Sequence, residues 1–107
     1  NVNVKLGGMG MHVMGFDFHM GERPVTSEVL ADGWRPYVDV CLDAFGADRA
    51  MFESNFPVDK GSCSWVVLWN TFKRLASGMS ADEKRALFMG TACRVYGLDL
   101  VAQGITV

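Results

Sequence analysis

The sequence lacks the features that mark several common classes of protein. It contains only three cysteines, Cys41, Cys63 and Cys93. Because their number is odd and no two form a Cys-x-x-Cys pair, the sequence offers neither a disulfide framework nor a zinc ribbon, and we expect a reducing, cytoplasmic environment. No apolar run approaches the roughly 20 residues needed to cross a bilayer. No secretory signal pattern is visible at the start of the chain.

Charge is also scarce. Ten Lys and Arg face twelve Asp and Glu, a formal net charge of −2, and no basic cluster occurs. This argues against a nucleic-acid partner. Half of the residues are apolar and 21% are charged, which is typical of a globular chain. We therefore expect a small-molecule substrate rather than a nucleic acid or a membrane, and a homo-oligomer stays open as an assembly.

The first part of the chain predicts one strand followed by a long loop. Val2, Val4 and Leu6 alternate with polar residues, the period of a strand. Glycines at positions 7, 8 and 10 end this strand. Residues 11–26 have neither a helical nor a strand period, so we interpret them as a long loop, and long ordered loops are often functional.

Two helices are predicted next. A short one begins at Thr26 or Ser27 and ends near Asp32, because Gly33 breaks the pattern. A second begins near residue 34, since Pro36 is tolerated only in a first turn, and it ends at Gly46.

The remaining chain predicts a strand and two more helices. Residues 50–54 form a short apolar run, as in a buried strand, and Pro57 ends it. A helix capped by Ser62 or Ser64 follows, with an apolar stripe over residues 65–76. Ser80 and Glu83 form a capping box for the last helix, which Gly97 stops. Strands that alternate with helices predict parallel βαβ units of an α/β protein. Because two strands cannot form a covered sheet and the chain opens inside a strand, we expect a piece of a larger fold.

Several motifs give only weak evidence for a function. The pair Gly8 and Gly10 follows a strand, but Val13 stands where a dinucleotide-binding fingerprint needs its third glycine. His12 and His19 are seven residues apart, which does not indicate a chelating pair. They could line a polar pocket or simply pack in the loop. Cys63 lies near a predicted helix start, where the helix dipole could lower its pKa, but no histidine lies close to it in the sequence, which argues against a thiol nucleophile.

Residues 53–60, ESNFPVDK, are the most informative segment. A buried strand ends there in polar residues, and in an α/β barrel catalytic groups collect at the carboxyl ends of strands. Alternation predicts that Glu53 and Asn55 share one face, with Ser54 opposite. The alternative is an ordinary turn, because Asn, Pro and Asp are common turn residues.

Three segments resemble the amidohydrolase-related TIM-barrel family. Residues 3–8 (NVKLGG) resemble its seventh strand, residues 49–57 (RAMFESNFP) its eighth strand, and residues 91–98 (TACRVYGL) its closing helix. The order and spacing match over nearly the whole chain, and the lactonase-like branch is most similar. The resemblance implies that residues 1–107 are one C-terminal fragment of a single amidohydrolase-like barrel domain. This fragment would be the last quarter of a (β/α)8 barrel, with strands 7 and 8, their helices and a terminal helix, and inactive alone.

The resemblance also implies a site, with one departure. The family places a metal-binding or basic aspartate where this sequence has Asn55, and a glycine where it has Glu53. An amide is a poor ligand for zinc and a poor proton acceptor, so a divalent metal is implied by the family but disfavoured by Asn55. Asn55 could still orient a water or donate to an oxyanion. Asp59 is the nearest carboxylate that could take over.

The leading hypothesis is a hydrolase of the amidohydrolase superfamily acting on a lactone-like or related C–O or C–N bond. Asn55 and Asp59 are its candidate catalytic residues. Candidate substrate-binding residues are His12, His19, Arg23 and Glu53, and the forked donors of arginine suit a carboxylate. Two alternatives are a decarboxylase-type barrel enzyme and a catalytically silent barrel that only binds, since Asn55 replaces the aspartate.

Overall fold

Strands and helices alternate along the chain, as the sequence predicts. The computed structural model describes residues 1–106. The regular elements are β1 (Val4–Leu6), α1 (Ser27–Phe45), β2 (Ala50–Phe52), α2 (Trp65–Leu75), α3 (Ala81–Arg85) and α4 (Thr91–Tyr96). A π-helical turn, Ala86–Gly90, joins α3 to α4, and short 3-10 turns lie at His12–Met14, Phe18–Met20, Ala47–Arg49 and Val58–Gly61. Within the described part of the chain, no helix is both long and apolar enough to span a membrane.

β1 and β2 form a two-stranded parallel sheet. Val4 is in register with Ala50, and Leu6 with Phe52. α1 connects the two strands, which confirms the predicted parallel βαβ unit. Since the strands are parallel, their carboxyl ends lie at the same edge of the sheet, and the segments that follow them come together there.

The prediction of two helices between residues 27 and 45 is wrong, because α1 is continuous. Thr26 caps it by accepting a hydrogen bond from the backbone N–H of Val29 at 3.4 Å. Gly33 lies inside the helix, where an added Cβ would be 3.3 Å from the ring of Phe18. This glycine therefore leaves space for an aromatic side chain of the loop. Pro36 removes one backbone donor, and the burial of Trp34 and Val38 on either side of it favours helix continuation.

The core lies between one face of the sheet and the helices. Alternation places the side chains of Leu6, Ala50 and Phe52 on this face, and all three are buried. They pack in one cluster with buried residues of the helices, which include Leu30, Trp34, Leu68, Phe72 and Leu87. The opposite face of β1 carries Lys5.

Five aromatic side chains of this core and the half-exposed Trp65 form what we name the tryptophan cluster: Trp34, Trp65, Trp69, Phe52, Phe72 and Phe88. Phe72 is its centre, with ring centroids 4.5 Å from Phe52, 5.3 Å from Trp69 and 6.5 Å from Trp34. The rings of Trp65 and Trp69 have centroids 5.6 Å apart. Trp65 is half exposed, at 52%, so the buried position that the apolar stripe of residues 65–76 predicts for it is wrong.

The helix caps agree with the sequence. Ser64, one of the two candidates, accepts from the N–H of Val67 at 3.2 Å. Ser80 and Glu83 form the reciprocal capping box at the start of α3. Gly97 ends α4 in the left-handed conformation, with φ of 63°.

An apolar groove of about 610 Å³ runs beside β1. We call it the β1 groove; its walls are β1, Gly7, Met9, Met14 and residues 36–38, 40 and 41 of α1. Tyr37 and Val40 on the α1 wall are largely exposed. Among the described residues, β1 pairs only with β2. The backbone N–H and C=O groups on its other edge are therefore unpaired, and this edge borders the groove.

Candidate functional site

The glycine turn after β1, residues 7–10, packs against the polar segment after β2, residues 53–62. Each of its glycines lies near one polar residue of that segment. Gly7 lies against Glu53, Gly8 against the side chains of Met11 and Asn55, and Gly10 against the carboxyl group of Asp59. These short approaches bring the carboxyl ends of both strands into one constellation.

Glu53 extends the pairing of the two strands. Its backbone N–H donates to the carbonyl of Leu6 at 3.1 Å. Its carboxylate lies 3.8 Å from Nζ of Lys5, with a third of the side chain exposed. Glu53 is therefore on the face of the sheet that carries Lys5, and its charge is balanced by that lysine.

Asp59 is the buried charge of the constellation, with an exposure of 1%. Its Oδ2 accepts from the backbone N–H of Gly10 at 3.2 Å. Its Oδ1 accepts from Nδ2 of Asn55 at 2.7 Å. Both oxygens thus have a donor, as a buried carboxylate requires. The carboxylate joins the two segments that follow the strands.

Asn55 has a left-handed backbone, with φ of 52°, a conformation that asparagine tolerates better than most residues. The backbone carbonyl of Asn55 accepts a hydrogen bond from the backbone N–H of Asp59 at 3.1 Å. The backbone therefore turns immediately after β2 and returns Asp59 beneath the Asn55 side chain.

Ser62 closes the network from the other side. Its hydroxyl donates to the carbonyl of Gly10 at 2.5 Å, and its N–H donates to the carbonyl of Asp59 at 3.0 Å. Gly10 is consequently held through both its N–H and its C=O.

The two histidines meet, although they are seven residues apart. The rings of His12 and His19 stack with centroids 3.6 Å apart and an interplanar angle of 15°. Nε2 of His12 lies 3.9 Å from the position of a Cβ on Gly61, so the stack borders the polar segment. Arg23 is exposed in the same loop, and no hydrogen bond or ion pair of its side chain is found among residues 1–106.

The pKa of Cys63 is raised, not lowered as its place near a helix start would allow. Cys63 is buried, and burial together with the nearby negative charge of Asp59 raises the pKa of its thiol to about 11.

The constellation does not by itself fit a zinc ion. Within the described residues, no three His, Cys, Asp or Glu side chains converge as metal ligands would. The Asp59 oxygens already accept two hydrogen bonds, and Asn55 turns its nitrogen toward them. Zinc prefers thiolate, imidazole and carboxylate ligands, so we place no metal-dependent step on these residues.

The comparison with known proteins identifies the family of this chain. The model of the amidohydrolase family matches residues 1–98. The chain belongs to the amidohydrolase family.

Two curated relatives resemble this amidohydrolase chain in sequence. An uncharacterised protein of Sinorhizobium fredii is 44% identical over 96 residues, which are 90% of this chain and 28% of that protein. An L-fucono-1,5-lactonase of Burkholderia multivorans is 44% identical over 62 residues, which are 57% of this chain and 21% of that protein. The chain therefore spans less than a third of the length of either relative.

Solved structures give the same result. A crystal structure of a Burkholderia multivorans amidohydrolase with bound zinc is similar to this chain, with a TM-score of 0.75 and 35% identity. A second crystal structure of an amidohydrolase from this organism, with bound HEPES, gives the same values. In both cases the match covers 92% of this chain and 32% of the other chain. The fold is thus that of part of an amidohydrolase.

Three participants of the site were missed in the sequence. The sequence indicates only that Lys5 is a strand residue, that Gly10 belongs to an incomplete dinucleotide-binding motif, and that Ser62 is a candidate helix cap. The close spacing of glycines after a strand was the available signal for Gly10, since such glycines also permit close backbone contacts. Lys5 and Ser62 carry no comparable signal, because their partners lie about 50 residues away in the chain.

Proposed function

We propose that this amidohydrolase chain contributes to the hydrolysis of a lactone or a related C–O or C–N bond in a small, anionic or hydroxylated molecule. The observation that carries the proposal is the Asn55–Asp59 pair, joined at 2.7 Å where the two parallel strands end. Similarity to the L-fucono-1,5-lactonase supports a lactone as the substrate class.

In this proposal Asn55 and Asp59 act as one unit at the reacting bond. Asn55 touches the substrate or the attacking water, and Asp59 fixes the amide in place. The stacked pair of His12 and His19 borders the same segment, and with Arg23 and Glu53 it contributes substrate contacts. Arg23 suits a carboxylate on the substrate, because its donors are arranged as a fork.

We further propose that residues 1–107 are the C-terminal quarter of a (β/α)8 barrel, with β1 and β2 as strands 7 and 8. The β1 groove and the unpaired edge of β1 support this, because a preceding strand and helix would cover both. The share of the relatives that the chain spans, 28% and 21%, is consistent with a quarter of a barrel. The intact mass of the natural protein tests this: several tens of kilodaltons supports it, and about 12 kDa contradicts it.

The activity is tested on the natural protein with L-fucono-1,5-lactone, by following acid release with a pH indicator. Hydrolysis that Asn55→Ala and Asp59→Ala both reduce, while Asp39→Ala on the exposed face of α1 does not, supports the proposal. Absence of hydrolysis of this and other small lactones contradicts it.

A catalytically silent binding barrel is the second candidate. The observation that favours it is that the amide of Asn55 cannot accept a proton and that the Asp59 carboxylate is buried with both oxygens engaged. Asn55→Asp distinguishes the two: a gain of metal and activity indicates a silent barrel, and loss of an existing activity indicates an enzyme.

A further inference from the structure

The Asn55–Asp59 contact fixes which end of the Asn55 amide faces away from the core. A carboxylate only accepts hydrogen bonds, whereas an amide has a donating nitrogen and an accepting oxygen. Asp59 therefore requires the nitrogen of Asn55 to turn toward it, and the 2.7 Å contact has this arrangement. The carbonyl oxygen, Oδ1, is left as the acceptor that can meet a ligand, and the second N–H of the amide is not used by Asp59.

The surroundings of this pair make the orientation rigid. Asp59 is buried, and its second oxygen holds the N–H of Gly10, whose carbonyl in turn accepts from Ser62. Asp59 cannot swing away without leaving the Gly10 donor unpaired. Asn55 is only half-buried, and within residues 1–106 no protein group donates to its Oδ1. The acceptor is thus free on the side away from Asp59.

Asp59 also changes the character of that acceptor. Hydrogen bonds in series polarise one another, and the effect is larger where water is excluded. An amide that donates to a buried carboxylate carries more negative charge on its oxygen. Oδ1 of Asn55 consequently favours a donor, such as a hydroxyl group or a water molecule, and disfavours an oxyanion.

We propose that Asn55 presents its carbonyl oxygen as a polarised hydrogen-bond acceptor for a hydroxyl group, of the substrate or of the attacking water, and that Asp59 is its positioning residue. This rests on the proposed function, and it assigns to Asn55 the acceptor role of Oδ1 rather than donation to an oxyanion by the amide nitrogen, one of whose two N–H groups already donates to Asp59.

The orientation is tested first without any activity, by NMR of the natural protein labelled with ¹⁵N-asparagine. The side-chain NH2 signal of Asn55 is identified by its absence in Asn55→Asp, and that of Asn70, exposed on α2, serves as reference. We expect the Asn55 protons to exchange with water at least tenfold more slowly than those of Asn70.

Asp59→Asn is the decisive variant, because it replaces an accepting oxygen with a donor while keeping the shape of the side chain. We expect faster exchange of the Asn55 protons, and no change in Asp39→Asn, an exposed acid on α1. Equal exchange at Asn55 and Asn70 in the wild-type protein, or an Asn55 signal unaffected by Asp59→Asn, overturns the inference.

A kinetic comparison then distinguishes the two sources of the hydroxyl group. The probes are L-fucono-1,5-lactone, which carries hydroxyl groups, and δ-valerolactone, which carries none. If Oδ1 holds a substrate hydroxyl, Asp59→Asn raises KM for the first lactone about two- to tenfold more than for the second, the range for one hydrogen bond. If it holds the attacking water, kcat falls for both.

Unchanged kinetics for both lactones in Asp59→Asn overturn the inference. A wild-type protein that hydrolyses neither lactone contradicts the proposed function instead, and the exchange measurement still decides the orientation of Asn55.

Discussion

Gly7 and Glu53 approach so closely that a Cβ on Gly7 would lie 2.4 Å from the backbone carbonyl oxygen of Glu53. No side chain fits at that distance, so the strand ends can be this close only with glycine. We predict that Gly7→Ala lowers the free energy of unfolding by about 1–3 kcal/mol, the range for overpacking.

Gly78→Ala is the matched control, because nothing lies within 4 Å of the added methyl group and its φ is not positive. It should be neutral or stabilising by up to about 1 kcal/mol. Urea denaturation of the natural protein measures both variants. Equal stability of the two would mean that the strand ends move apart without loss.

A second prediction concerns Asn55→Asp. The substitution replaces a donor by a carboxylate 2.7 Å from Oδ1 of Asp59, and like charges at this distance repel. We expect a loss of about 1–3 kcal/mol in stability at pH 7, and a smaller loss near pH 4, where the two carboxyl groups can share a proton.

Thermal denaturation at the two pH values checks this result, with Asn70→Asp on the surface of α2 as control. Zinc added at pH 7 should restore stability if the two carboxylates bind it. A pH-independent effect would show that repulsion is not its cause.

The third prediction is slow alkylation of the Cys63 thiol. With a pKa of about 11 instead of the ordinary 9.0, about fiftyfold less thiolate is present at pH 9, and the thiolate is the reactive form. At pH 9, iodoacetamide should therefore modify Cys63 at least about fiftyfold more slowly in the folded protein than in 6 M guanidinium, because burial of the thiol also limits access of the reagent. Mass spectrometry of the peptide that contains Cys63 gives both rates, and similar rates would contradict the raised pKa.

The fourth prediction concerns the β1 groove. Expressed by themselves, residues 1–107 should aggregate or bind the dye ANS, because large apolar patches drive association. Val40→Lys, at a position 68% exposed in the groove wall, should reduce both effects. Val66→Lys on α2, at a position 65% exposed, should do so less. A monomer with a cooperative unfolding transition would refute this expectation.

Much of the fold could be predicted because local patterns determine it. The alternation around Val4, the apolar run at Ala50 and the capping box at Ser80 all mark elements that the structure contains. The exception is α1, where Gly33 and Pro36 predict a break. Helix propensity is a weak influence where buried residues on both sides of a glycine or proline favour one continuous helix. Gly33 leaves space for the ring of Phe18, and Phe18 lies in a loop segment whose sequence shows no periodicity.

The site was less predictable, because its contacts join residues far apart in the chain. The segment 53–60 could be recognised by its polar residues at a strand end. That Asp59 turns inward, however, depends on the left-handed backbone of Asn55 and on a donor from Gly10, 49 positions away. The stacking of His12 on His19 depends on two 3-10 turns that no periodicity indicates.

The tryptophan cluster gives this chain a built-in optical reporter. All three tryptophans belong to one set of touching rings, supplied by α1, α2, β2 and the π-helical turn. Excitation energy absorbed by one tryptophan can transfer to the others. Their fluorescence emission therefore reports on the packing of the sheet against the helices as a whole. The indole nitrogens of Trp34 and Trp69 are buried without a hydrogen-bond partner in the described structure, which shifts their emission to short wavelength. Separation of α2 from the sheet would therefore register as a red shift before the helices themselves unwind.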